Sequence, residues 1–110
     1  MRAKKVDTSH PAIRDHLRSI GWSVYSTASI GDDFPDLIVA RHGFTALVEC
    51  KTGLESRAET YLTEGQREFR DKWQGSYVVS STPEQAEREL AIRLLGFRLD
   101  ALTIDQETGS

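Results

Sequence analysis

The residues best suited to chemistry are two carboxylates and an ammonium. Asp36 follows Pro35, Glu49 stands after twelve intervening residues, and Lys51 lies two positions further on. In an extended strand alternate side chains share a face, so Glu49 and Lys51 point one way while Val48 and Cys50 point the other. Two carboxylates within a few ångströms repel unless a cation lies between them. Hard oxygen donors of this kind suit Mg2+ or Mn2+, with a backbone carbonyl and waters completing the shell. Such an ion lowers the pKa of bound water and neutralises charge that builds on a phosphate in the transition state. An adjacent lysine could orient or deprotonate that water. In outline these residue types describe phosphodiester hydrolysis.

The elements that must position them can be read along the chain. Ile13, Leu17 and Ile20 recur at helical spacing behind Ser9-His10-Pro11 and stop at Gly21, which predicts a short amphipathic helix. Trp22 to Thr27 alternates as a strand, and Ala28 to Phe34 reads as a loop. Asp36–Ala40 and Thr45–Lys51 form the clearest hairpin, turning through Arg41-His42-Gly43-Phe44. In an antiparallel pair the start of the first strand lies beside the end of the second, so Asp36 and Glu49 converge with Lys51 adjacent. Gly53 to Tyr61 is polar. A helix is expected over Thr63–Trp73, with Leu62, Gln66, Phe69 and Trp73 on its inward stripe. A short strand follows at Tyr77–Ser80, then a helix from Pro83 to about Leu95, capped by Thr82 and stopped by Gly96. The order αβββαβα predicts an α/β fold, a central mixed four-stranded sheet flanked by helices.

The chain has 110 residues, of which 38% are hydrophobic and 28% charged, the size and balance of one domain over 1–110 with its core at about 6–96. Residues 1–5 and about 105–110 read as tails. A single cysteine, Cys50, can make no internal disulfide. The basic start is followed by no apolar leader, and no apolar run is long enough to span a membrane, so a cytoplasmic location is expected. The net charge of −3 argues against gripping nucleic acid by bulk charge. The deficit lies in residues 84–110, and bases gather at Arg2/Lys4/Lys5 and Arg67/Arg70/Lys72. Lys4, Lys5, Arg67 and Arg70 are candidate phosphate contacts, with a solvated helix face as the alternative for the last two.

Phe34-Pro35-Asp36, twelve residues and Glu49-Cys50-Lys51 together resemble the motif of the PD-(D/E)XK nuclease superfamily, which includes restriction endonucleases and archaeal Holliday-junction resolvases. The likeness runs from about Val6 to Leu95. Leu62-Thr-Glu-Gly-Gln66, followed by Trp73-x-Gly75 and a hydrophobic strand, further resembles small stand-alone phage and bacterial VRR-NUC-type nucleases. The resemblance implies a restriction-endonuclease-like core in a bacterial or phage-infected cell. It implies Asp36 and Glu49 as ligands of Mg2+ or Mn2+, the Cys50 carbonyl as a backbone ligand, Lys51 as the catalytic lysine and Gln66 beside the site. Where such proteins carry Glu or Gln on the first helix this chain has His10, which leaves metal ligation, water positioning or no catalytic part open. Phe34 is bulkier than the residue usual before Pro-Asp.

Each residue also has a plainer reading. Pro35-Asp36 can be a turn, and Glu49/Lys51 an exposed salt pair. Gln66 can close a capping box with Thr63, and His10 can cap its helix. Asp32 and Asp33 read as loop-solvating, and His16 and His42 as solvated. The order and hairpin placement of the three central residues favour a metal-dependent phosphodiester hydrolase, and the resemblance implies an endodeoxyribonuclease acting on branched or structured DNA. The alternative is a DNA-binding module that keeps the fold with little or no cleavage. One site per chain and two strands to cut imply a homodimer, for which Phe97, Leu99, Leu102 and Ile104 are the candidate contacts.

Overall fold

A computed structural model describes residues 9–52 and 62–108, with side chains up to residue 103. The polar stretch 53–61, Lys4 and Lys5, the first tail and the side chain of Ile104 lie outside these residues. The elements run α1 (Ser9–Ser19), β1 (Ser23–Ser26), a 3-10 turn (Ala28–Ile30), β2 (Leu37–Arg41), β3 (Phe44–Cys50), α2 (Glu64–Lys72), β4 (Ser76–Ser80) and α3 (Pro83–Thr108). The sheet is ordered β1-β2-β3-β4. The first three strands are antiparallel neighbours and β4 lies parallel to β3, a pairing that requires a crossover, here the segment containing α2. The α/β, mixed-sheet expectation is met.

Local chemistry explains most boundaries. α1 ends where Gly21 takes φ +106° and the Trp22 amide donates back to the Leu17 carbonyl, a left-handed cap that a side chain would strain. Arg41 covers the same end, donating from Nη1 to the Ile20 carbonyl at 2.7 Å. The β2–β3 hairpin turns on His42 and Gly43, both at positive φ, the geometry that matches strand twist in a two-residue turn.

Alternation splits the sheet's residues between two faces. Leu37, Val39, Phe44, Ala46, Val48 and Cys50 enter one apolar cluster with Ile13 and Leu17 of α1 and Ala86 and Leu90 of α3. Cys50 is 2% exposed there, as alternation predicts. The other face carries a small cluster of Leu62, Val79 and Tyr77, and α2, which lies over it, buries none of its own residues.

Two expectations fail. Gly96 does not stop α3, which continues unbroken to Thr108 through the segment expected to become a tail. Glycine inside a helix is less favourable than alanine by only about 1 kcal/mol. That is too little to break a helix whose inward stripe of Ala86, Leu90 and Leu94 continues into Phe97, packed 5.5 Å from the Phe44 ring. His16 is not merely solvated: its Nε2 lies 2.6 Å from Glu87 Oε1 and ties α1 to α3.

Candidate active site

Backbone ladders set the position of each site residue. β2 and β3 pair Leu37 with Val48, and extending that register by one residue sets Asp36 opposite Glu49. The Thr27 amide donates to the Asp36 carbonyl at 2.7 Å and the Thr27 hydroxyl to the Pro35 carbonyl at 2.6 Å, so the Pro-Asp corner is anchored to β1. Asp36 is no free-standing turn residue, because its Oδ2 accepts from the Cys50 amide at 2.9 Å. On the far side of β3 the Lys51 amide donates to the Ser80 carbonyl at 2.8 Å. Successive amides therefore point to opposite neighbours. Since a strand residue's N–H and C=O point the same way, the Cys50 carbonyl lies on the Asp36 side.

Glu49 is 4% exposed and Lys51 is half-buried beside it, with Nζ 3.8 Å from Glu49 Oε2. The exposed salt-pair reading of these two residues does not hold. Gln66 joins them. Its Oε1 accepts from Lys51 Nζ at 2.8 Å while its Nε2 donates toward Glu49 Oε2 at 3.4 Å. The same Oε1 accepts from the Thr63 amide, and the Gln66 amide donates to the Thr63 hydroxyl, which makes the full capping box. The two readings of Gln66 are thus one arrangement: the cap fixes the rotamer that reaches Lys51 and Glu49.

The loop before Asp36 is pinned to α2. The Phe34 ring stands edge-on to Phe69 at 5.4 Å, which in turn stacks on Trp73 at 5.7 Å. A bulky residue before Pro-Asp therefore holds loop and helix together. Asp33, at φ +64°, brings its carboxylate against Gly65 in the first turn of α2, where the positive end of the helix dipole favours it and where a Cβ would collide with it.

Tyr77 is the residue that sequence reasoning missed. Burial pushes its phenol well above the ordinary value; Glu49 adds to the shift, Arg70 opposes it, and Asp36 and Asp33 reinforce it. Its hydroxyl is shielded and has no hydrogen-bond partner among the described residues. Its place on β4 opposite Leu47, which puts it on the Glu49 face of the sheet, comes from the parallel pairing of β4 with β3 and left no local signal in the sequence.

His10 lies within the first turn of α1 rather than ahead of it as a cap. Its Nε2 is shielded and without a hydrogen-bond partner among the described residues, and no described contact joins it to Asp36, Glu49 or Lys51. Arg67 donates to the Leu62 carbonyl at 2.7 Å and Arg70 pairs with Asp71 at 3.2 Å, so both candidate phosphate contacts are engaged within their own helix region.

The donors present suit a small hard cation. Asp36, Glu49 and the Cys50 carbonyl supply oxygen from two adjacent strands, and Mg2+ is commonly held by one or two carboxylates with waters filling the remainder. Among the described residues no group of three or more His, Cys, Asp or Glu side chains is drawn together as a metal cage. Among the same residues no helix is long and apolar enough to cross a membrane. A scan against protein-family models finds no match to the chain, and a search of curated proteins finds none either.

Proposed function

We propose that this chain is a metal-dependent endodeoxyribonuclease of PD-(D/E)XK type that hydrolyses phosphodiester bonds in branched or structured DNA. The observation that carries the reading is the Lys51–Gln66–Glu49 chain beside Asp36, itself docked on the Cys50 amide. The restriction-endonuclease-like arrangement is proposed on the same ground: a hairpin whose two strand ends present Asp36 and Glu49, followed by a crossover to a parallel strand.

Asp36, Glu49 and the Cys50 carbonyl would hold Mg2+ or Mn2+. The ion would supply a water of lowered pKa and a counter-charge for the phosphate. Lys51 Nζ is held by Gln66 at 2.8 Å and pairs with Glu49 at 3.8 Å, and from there its ammonium would face a phosphate bound at the ion. A positioned cation of this kind stabilises charge that develops in the transition state. Gln66 is a positioning residue, since its amide keeps lysine and glutamate apart and in register.

His10 favours a second reading, a DNA-binding module with weak or absent cleavage. An imidazole stands where a Glu or Gln would add an oxygen ligand, and its Nε2 has no partner among the described residues. A four-way junction and a supercoiled plasmid, each incubated with Mg2+, Mn2+ or EDTA, separate the two. Metal-dependent cleavage that Glu49→Ala abolishes supports the nuclease. Junction binding without cleavage in either metal supports the module, and neither binding nor cleavage overturns both.

A further inference from the structure

α3 carries two apolar stripes, and only one of them is used by its own domain. Ala86, Leu90 and Leu94 face the sheet, and Phe97 closes that stripe on Phe44. Phe97 therefore drops out of the expected contact set. Ile92, Leu95, Leu99 and Leu102 lie on the outer side, between 53% and 59% exposed. Their spacing of three, four and three residues is the a/d pattern of a coiled coil, which faces another helix rather than a sheet or a small ligand. Past Phe97 the helix runs on for roughly three turns.

We propose that this outer seam is the docking site for α3 of a second copy of the chain, packed antiparallel about a two-fold axis near residue 97. The seam is self-complementary in that sense. Antiparallel coils pair a with d, and here Ile92 meets Leu102 of the other copy while Leu95 meets Leu99, with every member of the stripe matched. The area suits a modest dimer. A large aliphatic side chain left more than half exposed offers on the order of 100 Å2 to burial. The two stripes then supply about 800 Å2 and the flanking helix surfaces the rest of the roughly 1,000 Å2 a specific interface needs.

The register has one unfavourable feature, which makes it testable. Arg98 stands at a g position, where an antiparallel pair sets it against its own copy. The dimer should therefore tighten as salt screens that repulsion, and Arg98→Gln should tighten it further. In a parallel pair Arg98 would instead lie beside Thr103 of the other helix and do neither. The inference stands apart from the nuclease reading, because mass is measured and not cleavage.

Sedimentation of the full chain from low to high micromolar concentration should show a monomer–dimer equilibrium. Leu95→Asp and Leu99→Asp should each raise its midpoint at least tenfold while circular dichroism and melting stay as in the parent, since both side chains are already exposed in the single chain. Under mild oxidation Arg98→Cys should cross-link to its own copy and Leu99→Cys should not. A monomer at every concentration, or a dimer that both aspartate variants leave intact, overturns the seam. Cross-linking by Leu99→Cys in place of Arg98→Cys overturns the antiparallel register.

Discussion

On one side of the sheet Leu37, Val39, Val48 and Cys50 meet Ile13, Leu17, Ala86 and Leu90 in a closed apolar layer. On the other, the next residues along the same strands, Asp36 and Glu49, lie with Lys51 under a helix that buries nothing of its own and touches the sheet through Gln66 and a few aromatic rings. A single pair of strands builds both. The contrast shows how a small domain affords a buried carboxylate: one face supplies the packing free energy, and the other is free to hold polar groups that would destabilise a core.

The comparison breaks most sharply by exchanging the roles of adjacent residues. Val48→Asp should prevent folding, because it puts an unpaired carboxylate into the sealed layer. Glu49→Ala or Lys51→Ala, one and three positions on, should leave the melting temperature within a few degrees of the parent and lower single-turnover cleavage by about a thousandfold. Equal loss of structure at positions 48 and 49 would show that the two faces are not functionally distinct.

Gln66 should give a split effect because it serves both as cap and as bridge. Gln66→Ala is expected to destabilise by about 1 kcal/mol through the cap and to slow cleavage roughly tenfold to a hundredfold. Thr63→Ala should give the stability loss with a smaller loss of rate. Parallel melting and cleavage measurements on the two variants separate cap from bridge, and identical rates would leave Gln66 a cap alone.

His10 should have a smaller effect. His10→Glu should strengthen Mg2+ dependence if residue 10 reaches the ion, and His10→Ala should shift the preference between Mg2+ and Mn2+ only slightly. Metal titrations of cleavage that superimpose for both variants and the parent would remove His10 from the site.

Tyr77 has the smallest predicted effect and the clearest sign. A phenol that titrates higher in the folded chain than the ordinary 10.0 keeps its proton in the native state while the unfolded chain loses it. Its contribution is therefore fully present below about pH 10 and is lost as pH rises above it. Tyr77→Phe should melt as the parent does at pH 7 and lose less stability than the parent above pH 10, as read from melting temperatures across that range.

Much of this was legible in the sequence because it depends on short-range rules. The hairpin and its turn, the caps at Gly21, Thr63 and Thr82, and the side of the sheet reached by each residue of β3 follow from period-two alternation and turn chemistry. The convergence of Asp36 on β3 follows from the same register. The end of α3 was not legible, because glycine disfavours a helix only weakly and the contact that carries the helix past Gly96 comes from Phe44, far away in the chain. Nor was Tyr77, whose nearness to Glu49 depends on the parallel pairing of β4 with β3.

What the sequence by itself determined is the set of side chains on each face of each strand, since that follows from backbone geometry over a few residues. Only the tertiary structure decided which of those faces would be sealed. α1 and α3 close over one side of the sheet, and α2 covers the other through a capped glutamine, so Glu49 is buried yet still reached by Lys51 and Gln66. Burial is a property of what packs on a face, and that depends on contacts between residues far apart in the chain, which local pattern does not encode.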